Sequence, residues 1–337
     1  MDAPLTAPEH GGPDALGVPL HDFSTNANAC GPCPVTLAAL AQADRSRYPD
    51  PAYTALTEAL AAFHQVDTPR IVLAASASEC IHRISAVAAR SGVRRAVVPA
   101  HGYGDYARAA AIWGLVCNPA PLDDDAALHW ACEPASPLGG ADAQLPGWAA
   151  RPGAWQVLDC AYAPLRLDGP GGAALLPPHV WQLWSPNKAL GLTGVRAAYA
   201  IAPAAAVQGG TAQRLRALSP SWPIGAEGVA LLHSWVQPET QHWLARTLPT
   251  LRQWKADQLR LCERLGWPVL PGSLANFFTA LLAPGEGAPL LAALRAQGVK
   301  LRDCASFGLP GHVRLGVLPP ASQEALHRAW HSYHCGT

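Results

Sequence analysis

Charge is scarce in this chain of 337 residues, and the charges that it has cancel. Lys and Arg together number 24, Asp and Glu together also number 24, and charged residues make up only 14% of the chain. Without a basic excess or a basic stripe, the sequence predicts no nucleic-acid partner and no binding to an anionic membrane surface. We therefore expect the partner to be a small molecule.

Long apolar runs are lacking as well. Pro, Gly or Arg interrupts each apolar run well before the roughly 18 residues that a membrane-spanning helix needs. The opening stretch MDAPLTAPEHGG lacks the basic and apolar regions of a secretory signal. These absences predict a soluble, cytoplasmic protein. At 337 residues the chain is too long for one small core, which predicts one large domain and a smaller one.

The nine cysteines lack the spacing of a metal site, so no bound metal is predicted, and their odd number argues against a complete disulfide framework. Cys30 and Cys33 enclose the sequence CGPC, which has the form of the thioredoxin redox motif. The polar segment STNANA precedes it, whereas a thioredoxin-like motif requires a buried strand at that place. We interpret CGPC as a loop with incidental cysteines, and a redox site is the alternative.

Apolar strand-like runs alternate with longer helix-like runs, which predicts an α/β domain whose mostly parallel sheet is covered by helices. After Gln237 the pattern changes to a long amphipathic helix followed by short strands, which predicts a smaller α+β domain. The large domain is predicted at 45–237, and the small one at 1–44 and 238–337. The predicted strands of the large domain are 70–75, 95–100, 115–120, 154–159, 180–185 and 195–202, with an extended loop at 168–178.

The three lysines differ in their surroundings. Lys255 lies among polar residues of the amphipathic helix, where a solvated position is expected, and Lys300 begins a predicted strand. Lys188 follows the apolar run VWQLWS and precedes ALGLTG, whose glycines let the backbone approach a ligand closely. An amine in such a loop is partly desolvated and can act as a nucleophile toward a carbonyl.

The segment SPNKALGLTGVR around Lys188 resembles the S-x-[ST]-K-x-x-G-x-x-G-x-R signature of the fold type I enzymes that use pyridoxal 5′-phosphate. The resemblance implies a mixed seven-stranded sheet and a cofactor that Lys188 binds covalently. It also implies that Ser185 and Arg196 hold the cofactor phosphate, with Asn187 in place of the usual hydroxyl residue.

Two further segments resemble the same family. VLDCAYAPL matches the pattern D-x-A-[YF], which implies that Asp159 pairs with the pyridine nitrogen and that Tyr162 reaches the phenolic oxygen O3′. AASASEC places Ser76, Ala77 and Ser78 between a strand and a helix, where backbone N–H groups bind anions. The family usually has glycines in this phosphate cradle, and this chain has Ala and Ser.

Three more positions follow from the resemblance. Tyr103 in HGYGDY is similar to the aromatic residue that stacks on the pyridine ring, and Tyr106 is the competing candidate. Ser136 in EPASPLG occupies the place of the family asparagine that hydrogen-bonds O3′. Tyr48 resembles the tyrosine that reaches the neighbouring subunit's cofactor phosphate, which implies a homodimer.

The branch of the family is indicated by HGG, DFSTNAN and VKLRDCASFGLPGHVRLGV, which resemble threonine-phosphate decarboxylases of cobalamin synthesis and histidinol-phosphate aminotransferases. By that resemblance Arg314 binds the substrate α-carboxylate as a bidentate donor. Arg302, His10 and Asn28 are candidates for the substrate phosphate.

Three functions remain open at this stage. Loss of the α-carboxylate of phosphothreonine would give aminopropanol phosphate, the decarboxylase reaction, and loss of the α-proton would lead to transamination. The third alternative is a cofactor-binding dimer without turnover, in a regulatory or assembly role. The altered residues at Ala77 and Ser136 motivate this last alternative.

Overall fold

The computed structural model of the chain describes residues 10–119, 127–148, 155–169 and 177–336. Its strands are His21–Asp22 (β1), Ile71–Ala74 (β2), Arg95–Val98 (β3), Val116–Pro119 (β4), Leu128–Cys132 (β5), Trp155–Asp159 (β6), Trp181–Trp184 (β7), Ala198–Ile201 (β8), Phe277–Leu281 (β9), Val299–Lys300 (β10), Arg302–Asp303 (β11) and His312–Gly316 (β12). Its α-helices are Pro34–Ala41 (α1), Thr54–His64 (α2), Ala77–Arg90 (α3), Gly104–Ile112 (α4), Ala204–Gln208 (α5), Thr211–Ala217 (α6), Ala226–Trp235 (α7), Pro238–Arg264 (α8), Gly287–Ala296 (α9) and Pro320–Cys335 (α10).

Seven strands form the larger sheet, in the spatial order β2-β8-β7-β6-β5-β3-β4. β8 is antiparallel to both of its neighbours, and the other pairs are parallel. The prediction of a mostly parallel, mixed seven-stranded sheet is confirmed. All six predicted strands overlap observed ones, and β5 is the strand that the sequence prediction lacks. Some predicted positions lie outside the described residues, namely the strand ends 120 and 154 and most of the 168–178 loop. Residues 1–9 also lie outside them.

Helices cover both faces of this sheet, because successive strand residues point to opposite sides and both sides are apolar. In β2, Ile71 and Leu73 join one core cluster, whereas Val72 and Ala74 join the other. Helices α2 and α7 pack in the first cluster, and α3, α4 and α6 pack in the second. Burial on both faces fixes the sheet rigidly, so the loops at its strand ends have a firm base.

A second core forms around the smaller strands. β9, β12 and β11 make an antiparallel sheet, and β1 pairs in parallel with β10. Phe23, Trp267 and Phe278 are buried between these strands and helices α9 and α10. The long helix α8 joins the two regions, since Leu251 lies in the large core and Leu261 in the small one.

Two sets of contacts bear on the sequence expectations for helix α1 and Lys255. Helix α1 falls within the predicted 1–44 segment of the small domain, yet it packs on α7, with Thr36 Oγ1 2.9 Å from Ser234 Oγ. Lys255 is buried rather than solvated, because its Nζ donates to Asp168 Oδ2 and to the carbonyl of Ser273. Within the described ranges, no helix is both long and apolar enough to cross a membrane.

Candidate active site

A cleft of about 1210 Å³ lies between the large sheet and the small antiparallel sheet. The turn after β2 contributes Ser76, the end of β6 contributes Asp159, and the turn after β7 contributes Ser185. The opposite wall comes from β11 and β12 and from the N-terminal segment. The cleft therefore occupies the carboxyl ends of strands, where ligands bind in open α/β sheets.

Lys188 lies in a loop that the N-terminal segment holds in place. The backbone N–H of Asn28 donates to the Lys188 carbonyl, and that of Cys33 donates to the Leu190 carbonyl, each at 2.8 Å. The Lys188 amine is 5.4 Å from the centre of the Tyr162 ring. Among the described residues it makes no hydrogen bond or ion pair, whereas the amine of Lys300 binds Asp14 and the Gly12 carbonyl. Lys188 thus has a half-buried amine that faces the cleft.

Asp159 is a buried carboxylate that two hydrogen bonds orient. Tyr106 donates its hydroxyl to Oδ2 at 2.7 Å, and the backbone N–H of Ala161 donates to Oδ1 at 2.9 Å. Burial raises the pKa of Asp159, while the Tyr106 hydrogen bond, the Lys188 charge and the Ala161 N–H act in the opposite direction. A buried carboxylate with little compensating charge is a strong partner for a cationic ring nitrogen.

The two tyrosines of HGYGDY have different roles. Tyr106 also lines the cleft, but it is buried, stacks on Trp130 with ring centres 4.9 Å apart and donates its hydroxyl to Asp159. Tyr103 lines the cleft, and its hydroxyl is 3.0 Å from Ser78 Oγ. The geometry therefore favours Tyr103 over Tyr106 as the residue that stacks on a bound ring.

The predicted phosphate cradle is at the start of α3. Ser76 caps this helix by accepting a hydrogen bond from the backbone N–H of Glu79, and Ser76, Ala77 and Ser78 all line the cleft. The first N–H groups of a helix have no partner within the helix and attract anions. On the other side are the exposed Arg196 and the buried Ser185, whose hydroxyl has no partner among the described residues.

The Asn187 amide uses its nitrogen for hydrogen bonds within the loop, and its oxygen is an acceptor without a partner among the described residues. Its Nδ2 donates to the carbonyls of Thr193 and Val195 at 3.4 Å, which closes the loop that leads to Arg196. Its buried Oδ1 has no partner within the part of the chain that the structure describes. Asn187 therefore orders the loop and also presents an acceptor to the cleft.

The small sheet contributes two arginines. Arg314 in β12 and Arg302 in β11 are directly paired across the strands, and both are buried and line the cleft. Arg314 donates to Ser136 Oγ at 2.9 Å and to the Ser24 carbonyl at 2.7 Å. Arg302 donates to Ser306 Oγ at 2.7 Å. Ser136 therefore binds Arg314, a contact that the sequence does not predict.

Two predicted site residues lie elsewhere. Asn28 donates to Thr247 Oγ1 and to the Ala189 carbonyl and accepts from the N–H of Cys30, so its amide is used within the protein and does not line the cleft. Tyr48 is 77% exposed and stacks on Trp222 with ring centres 4.2 Å apart, outside the cleft of its own chain. Its role in a partner's site stays a prediction.

The exposed His10 lines the cleft entrance, with its ring 6.2 Å from that of Tyr103. The HGG segment packs tightly here, because a Cβ at Gly11 would overlap the Ser24 carbonyl. The sequence analysis missed Asn26, which also lines the cleft. Its signal was present in the same motif as Asn28, STNANA.

The CGPC segment is a loop before α1, as interpreted from the sequence. Cys33 is buried, and burial raises the pKa of the Cys30 thiol, which makes that thiol less reactive. The motif contributes one backbone hydrogen bond to the Lys188 loop, from the N–H of Cys33 to the Leu190 carbonyl.

Residues 18–135 and 144–332 match the family Aminotransferase class I and II. The chain belongs to this family. Histidinol-phosphate aminotransferase 1 of Bradyrhizobium diazoefficiens is 30% identical over 88% of this chain and 87% of its own length. Threonine-phosphate decarboxylase of Salmonella typhimurium is 29% identical over 91% of this chain and 89% of its own length. The structure of histidinol-phosphate aminotransferase from Sinorhizobium meliloti, in complex with pyridoxal 5′-phosphate, has a TM-score of 0.70 at 22% identity and covers 91% of this chain and 90% of that one.

This aminotransferase-family chain is a pyridoxal phosphate enzyme, and its cleft residues fit the cofactor. Lys188 would supply the amine, and Asp159 would supply a buried carboxylate for the ring nitrogen. The hydroxyl of Ser185 and Oδ1 of Asn187 are buried polar atoms without a protein partner, as expected where a ligand completes the bonding. The N-terminus of α3, with Ser76 as its cap, suits the phosphate.

Proposed function

We propose that this chain decarboxylates a small amino acid that carries a phosphate, as the name of its threonine-phosphate decarboxylase relative states for that protein. The observation that carries the proposal is the direct pairing of Arg302 with Arg314 across β11 and β12. Cα atoms of opposed residues are only about 4.5 to 5.5 Å apart, and their side chains share one face of the sheet.

Two buried positive charges at such close range attract anionic groups of a ligand. Burial lowers the pKa of Arg314, and the charge of Arg302 lowers it further. Phosphothreonine carries a carboxylate and a phosphate on adjacent carbons, so one molecule can contact both guanidinium groups. Arg314 would bind the carboxylate and Arg302 the phosphate, and His10 is a further candidate for the phosphate.

The protein's part in the reaction follows from the cleft. When bound, the cofactor supplies an electron sink for a bond to the substrate α carbon. Asp159 keeps the ring nitrogen protonated, and the Tyr106 and Ala161 hydrogen bonds hold its carboxylate in place. Lys188 is the amine that can hold or move a proton at the α carbon. Arg314 orients the carboxylate that leaves.

Transamination of the histidinol-phosphate type is the second candidate, because the relative from Bradyrhizobium diazoefficiens carries that name. A dicarboxylate amino donor such as glutamate also has two anionic groups for the arginine pair. The two reactions differ in the bond that breaks at the α carbon, so product analysis separates them.

The test is to incubate the cofactor-loaded enzyme with phosphothreonine and, separately, with histidinol phosphate and an oxo acid. Release of CO2 with formation of aminopropanol phosphate is the expected result. Glutamate formed from histidinol phosphate and 2-oxoglutarate would establish the second candidate in its place. No turnover in either assay would favour a cofactor-binding protein without activity.

Arg302→Ala sharpens this test. The variant should lose turnover of phosphothreonine strongly and change turnover of unphosphorylated threonine little, because threonine lacks the group that Arg302 would bind. An equal loss on both substrates would remove the support for a phosphorylated substrate.

The proposal includes a homodimer in which Tyr48 reaches the partner's cofactor phosphate. The exposed stack of Tyr48 on Trp222 presents the tyrosine on the surface. Sedimentation at micromolar concentration should show a dimer. Tyr48→Phe should weaken cofactor retention and leave the dimer intact. A fully active monomer would contradict the shared site.

A further inference from the structure

Aromatic rings contact the two arginines of the cleft. The centre of the Phe307 ring is 4.8 Å from Arg302 Cζ and 5.7 Å from Arg314 Cζ. The centre of the Phe277 ring is 5.8 Å from Arg314 Cζ. Phe277 is fully buried, whereas Phe307 is half-buried and lines the cleft. Phe307 therefore contacts both guanidinium groups from within the cleft wall.

A ring contact of this kind leaves the hydrogen-bonding groups of an arginine free. The face of an aromatic ring carries partial negative charge and attracts a cation within about 6 Å of its centre. The N–H groups of a guanidinium point outward in its plane, so a ring on its flat face uses none of them. Arg302 and Arg314 are directly paired across β11 and β12, and their like charges repel. One ring that attracts both cations favours the orientation that they share.

A tight turn presents the Phe307 ring at this place. Residues Ala305–Phe307 form a 3-10 helix shortly after β11, and the backbone N–H of Phe307 donates to the Cys304 carbonyl at 2.9 Å. Cys304 is fully buried. Gly308 ends the turn in the left-handed region, at a φ of 76°, where a side chain would be strained. The turn is thus anchored in the small core, and the ring position follows from its backbone.

The opposite wall of the cleft holds the same turn. His101 lies in the connection between β3 and α4, and its Nδ1 is 2.7 Å from the Phe307 carbonyl. A carbonyl oxygen only accepts, so Nδ1 carries the proton in this bond. Tyr103, which also lines the cleft, follows two positions later in the same connection. This hydrogen bond therefore joins the tyrosine wall of the large domain to the arginine wall of the small one.

We propose that Phe307 is a positioning residue that selects substrates with two anionic groups. Its ring holds the guanidinium groups of Arg302 and Arg314 toward one another, so that a single ligand reaches both, and His101 fixes the ring through the Phe307 carbonyl. The ligand class is an amino acid with a second anionic group, phosphate or carboxylate, a few atoms from its α-carboxylate. The inference rests on the proposed function only in taking the arginine pair as the site of the substrate anions.

The experiment compares Phe307→Leu and Phe307→Tyr with the matched control Phe63→Leu, all in the cofactor-loaded protein. Leucine keeps apolar bulk and removes the aromatic face, whereas tyrosine keeps that face. Phe63 is also partly buried, and its ring contacts are His64 and Trp235 rather than an arginine. Titration gives the Kd of phosphothreonine, glutamate and threonine for each variant, turnover gives kcat, and thermal unfolding gives the Tm.

Phe307→Leu should weaken the binding of those two-anion ligands that the wild-type protein binds by about tenfold. Threonine has one anionic group, so its Kd should rise by less than about threefold. The kcat should change little, because Phe307 acts on the arginines and not on the reacting bond. Phe307→Tyr should restore each Kd to within about twofold of the wild-type value. Phe63→Leu should lower the Tm and leave each Kd unchanged.

His101→Ala tests the contact across the cleft. It should weaken the same two-anion ligands several-fold, and its effect should nearly vanish when Phe307→Leu is already present, because both changes act on one ring. Full additivity of the two substitutions would overturn the role of His101.

Three outcomes would overturn the role of Phe307. They are an equal loss of affinity for threonine and for the two-anion ligands, a failure of Phe307→Tyr to restore binding, and a loss of kcat with every Kd unchanged. If the wild-type protein binds glutamate and not phosphothreonine, and Phe307→Leu weakens glutamate more than threonine, the phosphorylated substrate is wrong and the role of Phe307 stands. Absence of binding of both two-anion ligands to the wild-type protein would overturn the inference together with the proposed function.

Discussion

The two ends of the cleft are built in opposite ways. At the cofactor end, Ser185 Oγ and Asn187 Oδ1 are buried without protein partners, and the Lys188 amine is uncommitted among the described residues. At the arginine end, Arg314 and Arg302 already donate to Ser136, Ser24 and Ser306. Polar atoms at the cofactor end therefore depend on a ligand for their hydrogen bonds, whereas the terminal nitrogens of both arginines already bond within the folded structure. Substitutions at the first should cost activity alone, and at the second both activity and stability.

Lys188→Ala should give the largest effect. It removes the nucleophilic amine, so turnover should fall by about 10³-fold or more. The Tm of the cofactor-free protein should stay the same, because the amine makes no internal bond among the described residues. Borohydride treatment of the wild-type enzyme should leave the cofactor mass on the peptide that contains Lys188. An adduct on the peptide with Lys255 or Lys300 would contradict the assignment.

Asp159→Asn should lower kcat by on the order of 10²-fold, because a neutral amide cannot hold the ring nitrogen in its protonated form. The same variant should stabilise the cofactor-free protein at pH 7. Folding raises the pKa of Asp159 above its ordinary value of 3.8, so the ionised carboxylate opposes folding at neutral pH. As the pH falls toward 4, the carboxyl is protonated in the folded and then in the unfolded protein, and the advantage of the variant should disappear.

Tyr106→Phe is the control for that experiment. It removes the O–H donor to Asp159 Oδ2 and keeps the ring that stacks on Trp130. Its effect on kcat should be several-fold, well below that of Asp159→Asn. An equal loss in both variants would mean that Tyr106 contacts the reacting groups and is more than a support.

Arg314→Lys should reduce kcat/KM by about 30-fold to a few hundred-fold, since lysine keeps the charge and loses the bidentate fork. It should also lower the Tm, because the Ser24 carbonyl and the Ser136 hydroxyl lose their donor. Arg328→Lys, at an exposed position in α10, serves as the control and should change neither quantity. If Arg314→Lys had the Tm of the wild-type protein, the arginine end would not contribute to stability, and the difference between the two ends of the cleft would be wrong.

Cys30→Ser combined with Cys33→Ala should have the smallest effect. The segment supports the Lys188 loop through the backbone N–H of Cys33, which both substitutions keep. Turnover should therefore stay within about a factor of three, since no thiol takes part in the proposed chemistry. A large loss that depends on added reductant would restore the redox interpretation of CGPC.

The sequence could predict which residues meet at the cofactor end of the cleft, for a physical reason. Ser185, Asn187, Lys188 and Arg196 lie within twelve consecutive residues, so the local motif carries most of the geometry. Asp159 ends a buried strand, and its position at the sheet edge follows from the strand pattern. The strand β5 was missed because the polar His129 interrupts the apolar run of LHWAC.

The arginine end required contacts between distant segments. The choice of Asn28 over Asn26 shows the difficulty, since the two residues are neighbours in one polar loop. Only the contacts with Thr247 and Ala189, on parts of the chain more than 150 residues away, direct Asn28 into the protein. The pairing of Ser136 with Arg314 joins residues separated by 178 positions, and no local pattern encodes it.

The hydrogen bond from the Gly316 N–H to the Phe23 carbonyl joins the two ends of the chain, so the cleft wall forms only after the C-terminal strands have been synthesised. All seven strands of the large sheet are present once residue 201 has been synthesised. The strand at His21–Asp22 must wait for its partner at Val299–Lys300, and the wall at residues 23–26 must wait for Gly316. A nascent chain on the ribosome can therefore contain all seven strands of the large sheet while its amino acid pocket is still open. Because the pocket closes last, an incomplete chain cannot capture substrate, and activity begins only when the C-terminal strands have been made.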